Sequence, residues 1–329
     1  MMYLKILLKV DLNEIIEYMY IVTRLRRLST MSELMKSKML FIVNPIAGRF
    51  HTKNNLQRVI DLFKSHGYNV NMKRTASKGH ATELVLKHGS NSDIIVCNGG
   101  DGTLNEVVSG VMRLDKRVTI GYIPSGTTND FASSLNLSDK TEIAAMAIIK
   151  GSPRTVDIGL FGENRYFSYI ASFGAFTGSS YSTPQSYKNL IGHLAYVLDG
   201  MKDIPNIRPH HVRVEADGQT YEGDYIFGAV SNSISIGGLL KLDSSQVDLN
   251  DGLFEIILIK NPKTPLELSR MLLSISKKEY NDKLIQLIKA PEATFYMEEA
   301  IPWSIDGEFE AGAKKVKIQN ITNAINIMV

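Results

Sequence analysis

One stretch concentrates the residue types that handle phosphate. Ile94-Ile95-Val96-Cys97-Asn98 runs straight into Gly99-Gly100-Asp101-Gly102-Thr103-Leu104-Asn105-Glu106. An apolar strand that ends in glycines and opens a helix lets backbone N–H groups approach a bound anion, and the helix N-terminus adds partial positive charge. Thr103 and Glu106 stand at capping-box spacing, which predicts the helix start at that point. Asp101 is the odd member, because a carboxylate in an anion cradle repels phosphate unless a cation intervenes. That points to Mg²⁺, held directly or through water. The other reading of Gly-Gly-Asp-Gly is a tight turn in which Asp101 caps backbone.

Two further loops share this character. Met39–Val43 leads into Asn44-Pro45-Ile46-Ala47-Gly48, and Val118–Ile123 leads into Pro124-Ser125-Gly126-Thr127-Thr128-Asn129-Asp130-Phe131. Each alone could be ordinary turn chemistry. Three such loops on one rim, offering small residues and hydroxyls, argue for a nucleotide polyphosphate. No Gly-x-Gly-x-x-Gly and no Gly-Lys-Ser/Thr occurs, so neither a dinucleotide fingerprint nor a Walker loop is present. No lysine sits inside the three loops, which leaves backbone dipoles and Mg²⁺ to offset phosphate charge.

The elements that must carry these loops read as follows. Leu56, Val59, Ile60 and Phe63 recur at i, i+3, i+4, i+7, one buried helical face that stops at Gly67. Asn69–Lys73 and Asp93–Cys97 are strands, with a helix from about His80 to Lys87 between them. This alternation predicts an α/β fold: a doubly wound parallel sheet with its strand-to-helix loops on one edge. After Gly151 the pattern becomes antiparallel and β-rich. Thr155–Phe161 and Tyr166–Ser172 flank one hairpin signal, and His211–Glu215 and Thr220–Val230 flank Asp217-Gly218. Leu253–Lys260, Thr294–Met297, Trp303–Ile305 and Val316–Gln319 are further strands, with helices near Gln185–Lys202 and Pro265–Ser276. The division is a 1–38 extension, a nucleotide-binding domain over 39–152 and a sandwich-like second domain over 153–315. Strands in 316–329 could return to the first domain, with a cleft between the two.

Composition narrows the classes. A length of 329 residues, with 44% hydrophobic and 22% charged, suits two globular cores and excludes wholesale disorder. A net charge of +3 is too small to argue for nucleic acid, which is not expected as a partner. Cys97 is the single cysteine, so no disulfide framework or multi-cysteine zinc site can form, and a packed thiol in a reducing cytosol is expected. His193, His210 and His211 lack metal-ligand spacing, and Tyr166, Phe167 and Tyr169 read as packing residues.

Asn44-Pro-x-x-Gly48, Gly99-Gly-Asp-Gly-Thr-Leu-Asn-Glu106 and Pro124-Ser-Gly-Thr-x-Asn-Asp-Phe131, in this order and spacing, resemble the diacylglycerol kinase catalytic domain. Ser182-Thr-Pro-Gln185, Gly192-His-Leu-Ala-Tyr196, Asp251-Gly-Leu253 and Asp306-Gly-Glu308 extend the resemblance to the bacterial lipid kinases related to sphingosine kinase. The resemblance covers Met39 to the C-terminus. It implies ATP cradled by Gly99, Gly100, Asp101, Gly102, Thr103, Leu104 and Asn105, with Asn44, Gly48, Thr75, Ser125, Gly126 and Thr127 completing the pocket. It also implies Mg²⁺ on Asp248, Asp251 and the Leu253 carbonyl, although Asn250-Asp251-Gly252 equally suits an ordinary turn. The catalytic carboxylate falls on Asp306 or Glu308, with Glu308 slightly favoured and Asp101 beside the phosphates.

The implied reaction is ATP- and Mg²⁺-dependent phosphorylation of a lipid hydroxyl, diacylglycerol first, by a cytoplasmic protein that meets the membrane surface during turnover. An NAD kinase-like or other small-molecule kinase, or an inactive nucleotide- or lipid-binding regulator, are the alternatives. A homodimer is left open.

Residues 1–30 form an apolar stretch cut by Lys5, Lys9, Asp11, Glu14 and Glu17 and ending in Arg24, Arg26 and Arg27. No run reaches the roughly 18 apolar residues of a membrane span. An interfacial anchor competes here with a packing helix or with a leader upstream of Met31 or Met39. The latter pair is favoured, so deletion of residues 1–38 is expected to leave sedimentation with anionic vesicles unchanged.

Overall fold

The structure, a computed structural model, describes Met19 and residues 37–47, 53–127, 129–174, 208–236, 240–242, 247–280 and 282–329. The expectations for residues 1–18 and 20–36, Gly48, Thr128, Ser182–Gln185, the helix near Gln185–Lys202, and Gly192–Tyr196 lie outside the described residues. Among the described residues no helix is long and apolar enough to cross a membrane.

The first half alternates strand and helix: β1 (Ser37–Val43), α1 (Lys53–Ser65), β2 (Tyr68–Arg74), α2 (His80–His88), β3 (Ile94–Gly99), α3 (Asp101–Val111), β4 (Thr119–Pro124), α4 (Asp130–Ser134) and α5 (Thr141–Lys150). The four strands are parallel in the order β2-β1-β3-β4. Both faces of this sheet are covered, which is why β1 reads as an unbroken apolar run. Leu40 and Ile42 pack on the face shared with Leu84 and Val85 of α2 and Leu104, Val107 and Val108 of α3. Met39, Phe41 and Val43 pack on the opposite face with Leu56, Val59 and Phe63 of α1 and Ala144 and Ile148 of α5. Cys97 is a packed thiol in this core, and burial pushes its pKa up.

The second half is antiparallel: β5 (Pro153–Phe161), β6 (Arg165–Phe167), β7 (Ile170–Gly174), β8 (His210–Ala216), β9 (Gln219–Ser231), the short β10 (Ser235–Ile236) and β11 (Leu240–Lys241), and β12 (Phe254–Lys260). There follow α6 (Pro265–Lys277), β13 (Ile285–Ala290), β14 (Glu292–Met297), β15 (Trp303–Ile305), β16 (Glu308–Glu310) and β17 (Lys315–Met328). The first half of β9 pairs with β8, and its second half lies between β7 and β12. A strand that changes partners along its length folds one sheet into two layers. The whole is the expected α/β arrangement, with parallel strands first and antiparallel strands after.

The single strand expected over Tyr166–Ser172 breaks into β6 and β7 around Ser168 and Tyr169, whose backbone N–H groups turn to a side chain instead of a ladder. β17 runs much further than Val316–Gln319. It pairs with β14 at one end, with β5 along most of its length, and with β4 at Ile327–Ile120. Its polar middle hides this length, because the register shifts between Ile321 and Ile325 and Asn323 takes φ 51°. Buried Asp157 explains that bulge: Oδ1 accepts from Asn323 N at 2.8 Å and Oδ2 from Gly252 N at 2.8 Å.

Asp157→Ala strips both donors of their acceptor in a protected place, a loss of about 2–4 kcal/mol. Urea unfolding is expected to show that loss, with Asp157→Asn retaining part of the stability.

Candidate functional site

Three strand ends meet at the C-terminal edge of the parallel sheet, where ligands of open α/β folds bind. The loop after β1 is tied to the loop after β3: Asn44 Nδ2 donates to Thr103 Oγ1 at 2.9 Å, and Asn44 N donates to Asn98 O at 2.9 Å. The loop after β4 is tied in from the other side by Ser125 N donating to Gly99 O at 2.8 Å. Glycine is needed where these loops touch. A Cβ built on Gly126 would lie 2.7 Å from the Gly100 Cα, and one on Gly99 would lie 2.5 Å from the Thr103 Cβ.

The loops bound a cleft of about 500 Å³, within the usual range for small-molecule sites. Of the residues singled out from sequence, Asn44, Thr75, Gly100, Gly102, Thr103, Gly126 and Thr127 line it, and Glu308 lines it from the second half. Gly99, Leu104, Asn105 and Ser125 are buried beneath it. Glu106, the last residue of the Gly99–Glu106 motif, also lines the cleft, as does Lys78, which no sequence signal marks as a site residue.

The predicted capping box does not form. α3 starts at Asp101, with Gly100 as its N-cap and no side-chain cap. Thr103 instead accepts from Asn44, and Glu106 reaches across to the next helix, where its carboxylate accepts from Gly79 N at 2.7 Å and Ala81 N at 3.0 Å. Glu106 thus caps α2. The spacing rule fails because both side chains find donors on neighbouring elements rather than on their own first turn.

Asp101 is buried at the helix start, and its Oδ2 accepts from Asp130 N at 3.2 Å. Burial, then the adjacent Asp130 carboxylate, pushes Asp101 up to about 6. Asp130 belongs to the Asn129-Asp130-Phe131 segment of the third loop, so its signal was in the sequence, but only folding pairs it with Asp101.

The acidic turn after β15 is a two-residue hairpin, with Asp306 at φ 48° and Gly307 at φ 84°, the positive-φ pair that an Asp-Gly turn provides. It is buried at Asp306. Trp303 locks β15 into a ring cluster with Phe161, Phe173 and Phe295 at centroid distances of 5.1, 4.9 and 5.1 Å. Asp306, 4% exposed, accepts from Ser168 N and Asn105 Nδ2 at 2.6 Å each, from Ile170 N at 3.0 Å and from Tyr169 N at 3.1 Å. Burial still outweighs these bonds and raises its pKa. Two residues on, Glu308 extends over the glycine loop: a Cβ on Gly102 would lie 3.7 Å from Glu308 Oε1. Its Oε2 is held by Arg165 Nη2 at 3.0 Å and Lys78 Nζ at 3.1 Å.

The Asp248–Leu253 turn, the expected Mg²⁺ position, has partners inside and outside itself, with Arg154 Nη2 3.9 Å from Asp248 Oδ1. Asp248 Oδ1 accepts from Asn250 N at 3.2 Å, Asp251 Oδ1 from Leu253 N at 2.9 Å, and Leu253 O from Asn320 Nδ2 at 3.2 Å. His210 is half-buried against Phe173, and exposed His211 pairs with Asp224 at 3.0 Å and Glu222 at 3.3 Å.

Residues 38–161 match the family model described as the diacylglycerol kinase catalytic domain, and residues 178–329 match the YegS C-terminal NAD kinase beta sandwich-like domain. The chain is 36% identical over 272 residues to a diacylglycerol kinase of Bacillus subtilis (strain 168), across 82% of this chain and 88% of that one. The chain belongs to the diacylglycerol kinase family. A family member from Staphylococcus carnosus (strain TM300) is 33% identical over 279 residues, 84% of this chain and 90% of its own. A crystal structure of a diacylglycerol kinase from Bacillus anthracis str. Sterne shares the fold, with a TM-score of 0.71 at 24% identity over 89% of this chain and 97% of that one.

Because Asp101 binds its proton more tightly when folded, its ionisation costs stability that grows between about pH 4 and 6 and then levels off. Asp101→Asn removes that cost. Thermal midpoints of the variant are expected to match the parent near pH 4 and to exceed it above pH 6, with the fold intact by circular dichroism.

Proposed function

We propose that this protein transfers the γ-phosphoryl group of ATP to the hydroxyl of a membrane-derived lipid, diacylglycerol first among acceptors, to give phosphatidic acid. The observation that carries the reading is Glu308, a carboxylate from the second half suspended over the glycine loop of the first. The acceptor oxygen attacks the γ-phosphorus, the bond to the β,γ-bridging oxygen breaks, and ADP leaves. Glu308 takes the hydroxyl proton. Asp306 is unsuited to proton transfer, because its four accepted hydrogen bonds match the roughly four lone-pair sites of a carboxylate, and it anchors the turn instead. Asn44, Thr103 and Thr127 offer polar side chains to the phosphates, with Gly100 and Gly126 leaving room for them.

Asp101 and Asp130 suit a hard divalent cation, since bringing their carboxylates together is unfavourable without one. Among the described residues no group of three or more histidine, cysteine, aspartate or glutamate side chains is arranged to hold a metal ion. A magnesium ion held by one or two carboxylates, with water and phosphate oxygens filling its shell, agrees with that. When bound it shields the phosphate charge. The lipid acceptor follows the family's named activity, and a bilayer-resident acceptor requires transient contact with the membrane surface.

Incubation with γ-labelled ATP, Mg²⁺ and a total lipid extract is expected to label phosphatidic acid. Glu308→Gln is expected to lower kcat by about 10²–10⁴-fold, the usual worth of a proton-transfer group. Absence of any labelled lipid, or full activity in that variant, would refute the reading.

A further inference from the structure

Lys78 supplies the positive charge that the three glycine loops lack. It is the one lysine or arginine among the described residues lining the cleft. It stands in Ser77-Lys78-Gly79, ahead of α2, and its side chain is 70% exposed, so it is free to pivot. Its backbone is not. Gly79 is the left-handed N-cap of α2 at φ +83°, and Glu106 grips Gly79 N and Ala81 N from α3. Ala76 N donates to His80 Nδ1 at 2.9 Å, which closes the loop on itself. The result is a held backbone that carries an exposed ammonium beside the glycine loop.

That ammonium lies 3.1 Å from Glu308 Oε2. We propose that Lys78 binds the terminal phosphates of the nucleotide, and that in doing so it gives up its ion pair with Glu308 and releases that carboxylate toward the acceptor. This rests on the reading of the cleft as an ATP site. Glu308 and phosphate compete for one ammonium, so the two equilibria are linked: whatever removes Glu308 from Lys78 must tighten nucleotide binding. Arg165 remains on Glu308 throughout, because it sits on β6 in the second half and does not line the cleft. It keeps the carboxylate in place once Lys78 has turned away.

The test is titration calorimetry of the full chain with the magnesium complex of a non-hydrolysable ATP analogue. Lys78→Gln is expected to weaken binding about tenfold, and Lys78→Arg to recover most of it. Glu308→Gln is expected to tighten binding about two- to fivefold, the worth of a part-exposed ion pair. In the Lys78→Gln background the same change should have no effect. Tightening that persists without Lys78 would show simple charge repulsion between Glu308 and phosphate and overturn the proposal. Equal or weaker binding in Glu308→Gln overturns it as well. Both variants must keep the parent's thermal midpoint within a few degrees; if Lys78→Gln does not, Lys78→Met replaces it. Binding in the unmodified protein with no linkage refutes the Lys78 assignment alone, whereas no binding refutes the ATP site and this inference together.

Discussion

The site depends on one buried carboxylate. Asp306 comes from a two-residue turn late in the chain, and its partners are the backbone where β6 passes into β7 and Asn105 on α3. A carboxyl group buried away from water is tolerable only when hydrogen-bond partners surround it, so this position of the turn is strongly specified. The carboxylate therefore couples the antiparallel half to the helix that opens behind the glycine loop. Glu308 inherits its place from this anchor, two residues away and across the cleft from Gly102.

The first half contributes the complementary constraint. Gly100 and Gly126 pack backbone against backbone, so the loops after β3 and β4 behave as one surface. Asn44 joins the loop after β1 to it through Thr103. The proposed phosphate contact would use such rigidity, because backbone donors stabilise an anion best when they are already aimed at it. The acidic members Asp101 and Asp130 add a standing electrostatic cost to that rigidity, and a bound cation would lift it.

Much of this was legible in the sequence, for local reasons. Short apolar runs followed by glycine marked β1, β3 and β4, and the period of Leu56, Val59, Ile60 and Phe63 marked α1. Trp303–Ile305 and the Asp217-Gly218 hairpin between β8 and β9 were legible because a strand and a two-residue hairpin are written in adjacent residues. What escaped depends on distant partners. Asn105 and Asp306 are 201 positions apart, and Glu106 caps a helix other than its own. Lys78 lies outside every glycine loop and enters the cleft only because α2 packs beside α3. β17 was underestimated because its polar middle is satisfied by Asp157, which no window of neighbouring residues reveals.

The two strands β5 and β17 run together from the parallel sheet into the antiparallel layers, paired from Pro153–Met328 to Phe161–Ile318. The halves are thus joined by a twisted ribbon rather than by a loop pivot. Along that ribbon the register shifts between Ile321 and Ile325, where Asp157 holds Asn323 N in place of a ladder partner. The two halves are therefore tethered along a hydrogen-bonded ladder, and a change in the cleft's width has to bend that ladder rather than swing about a single connection.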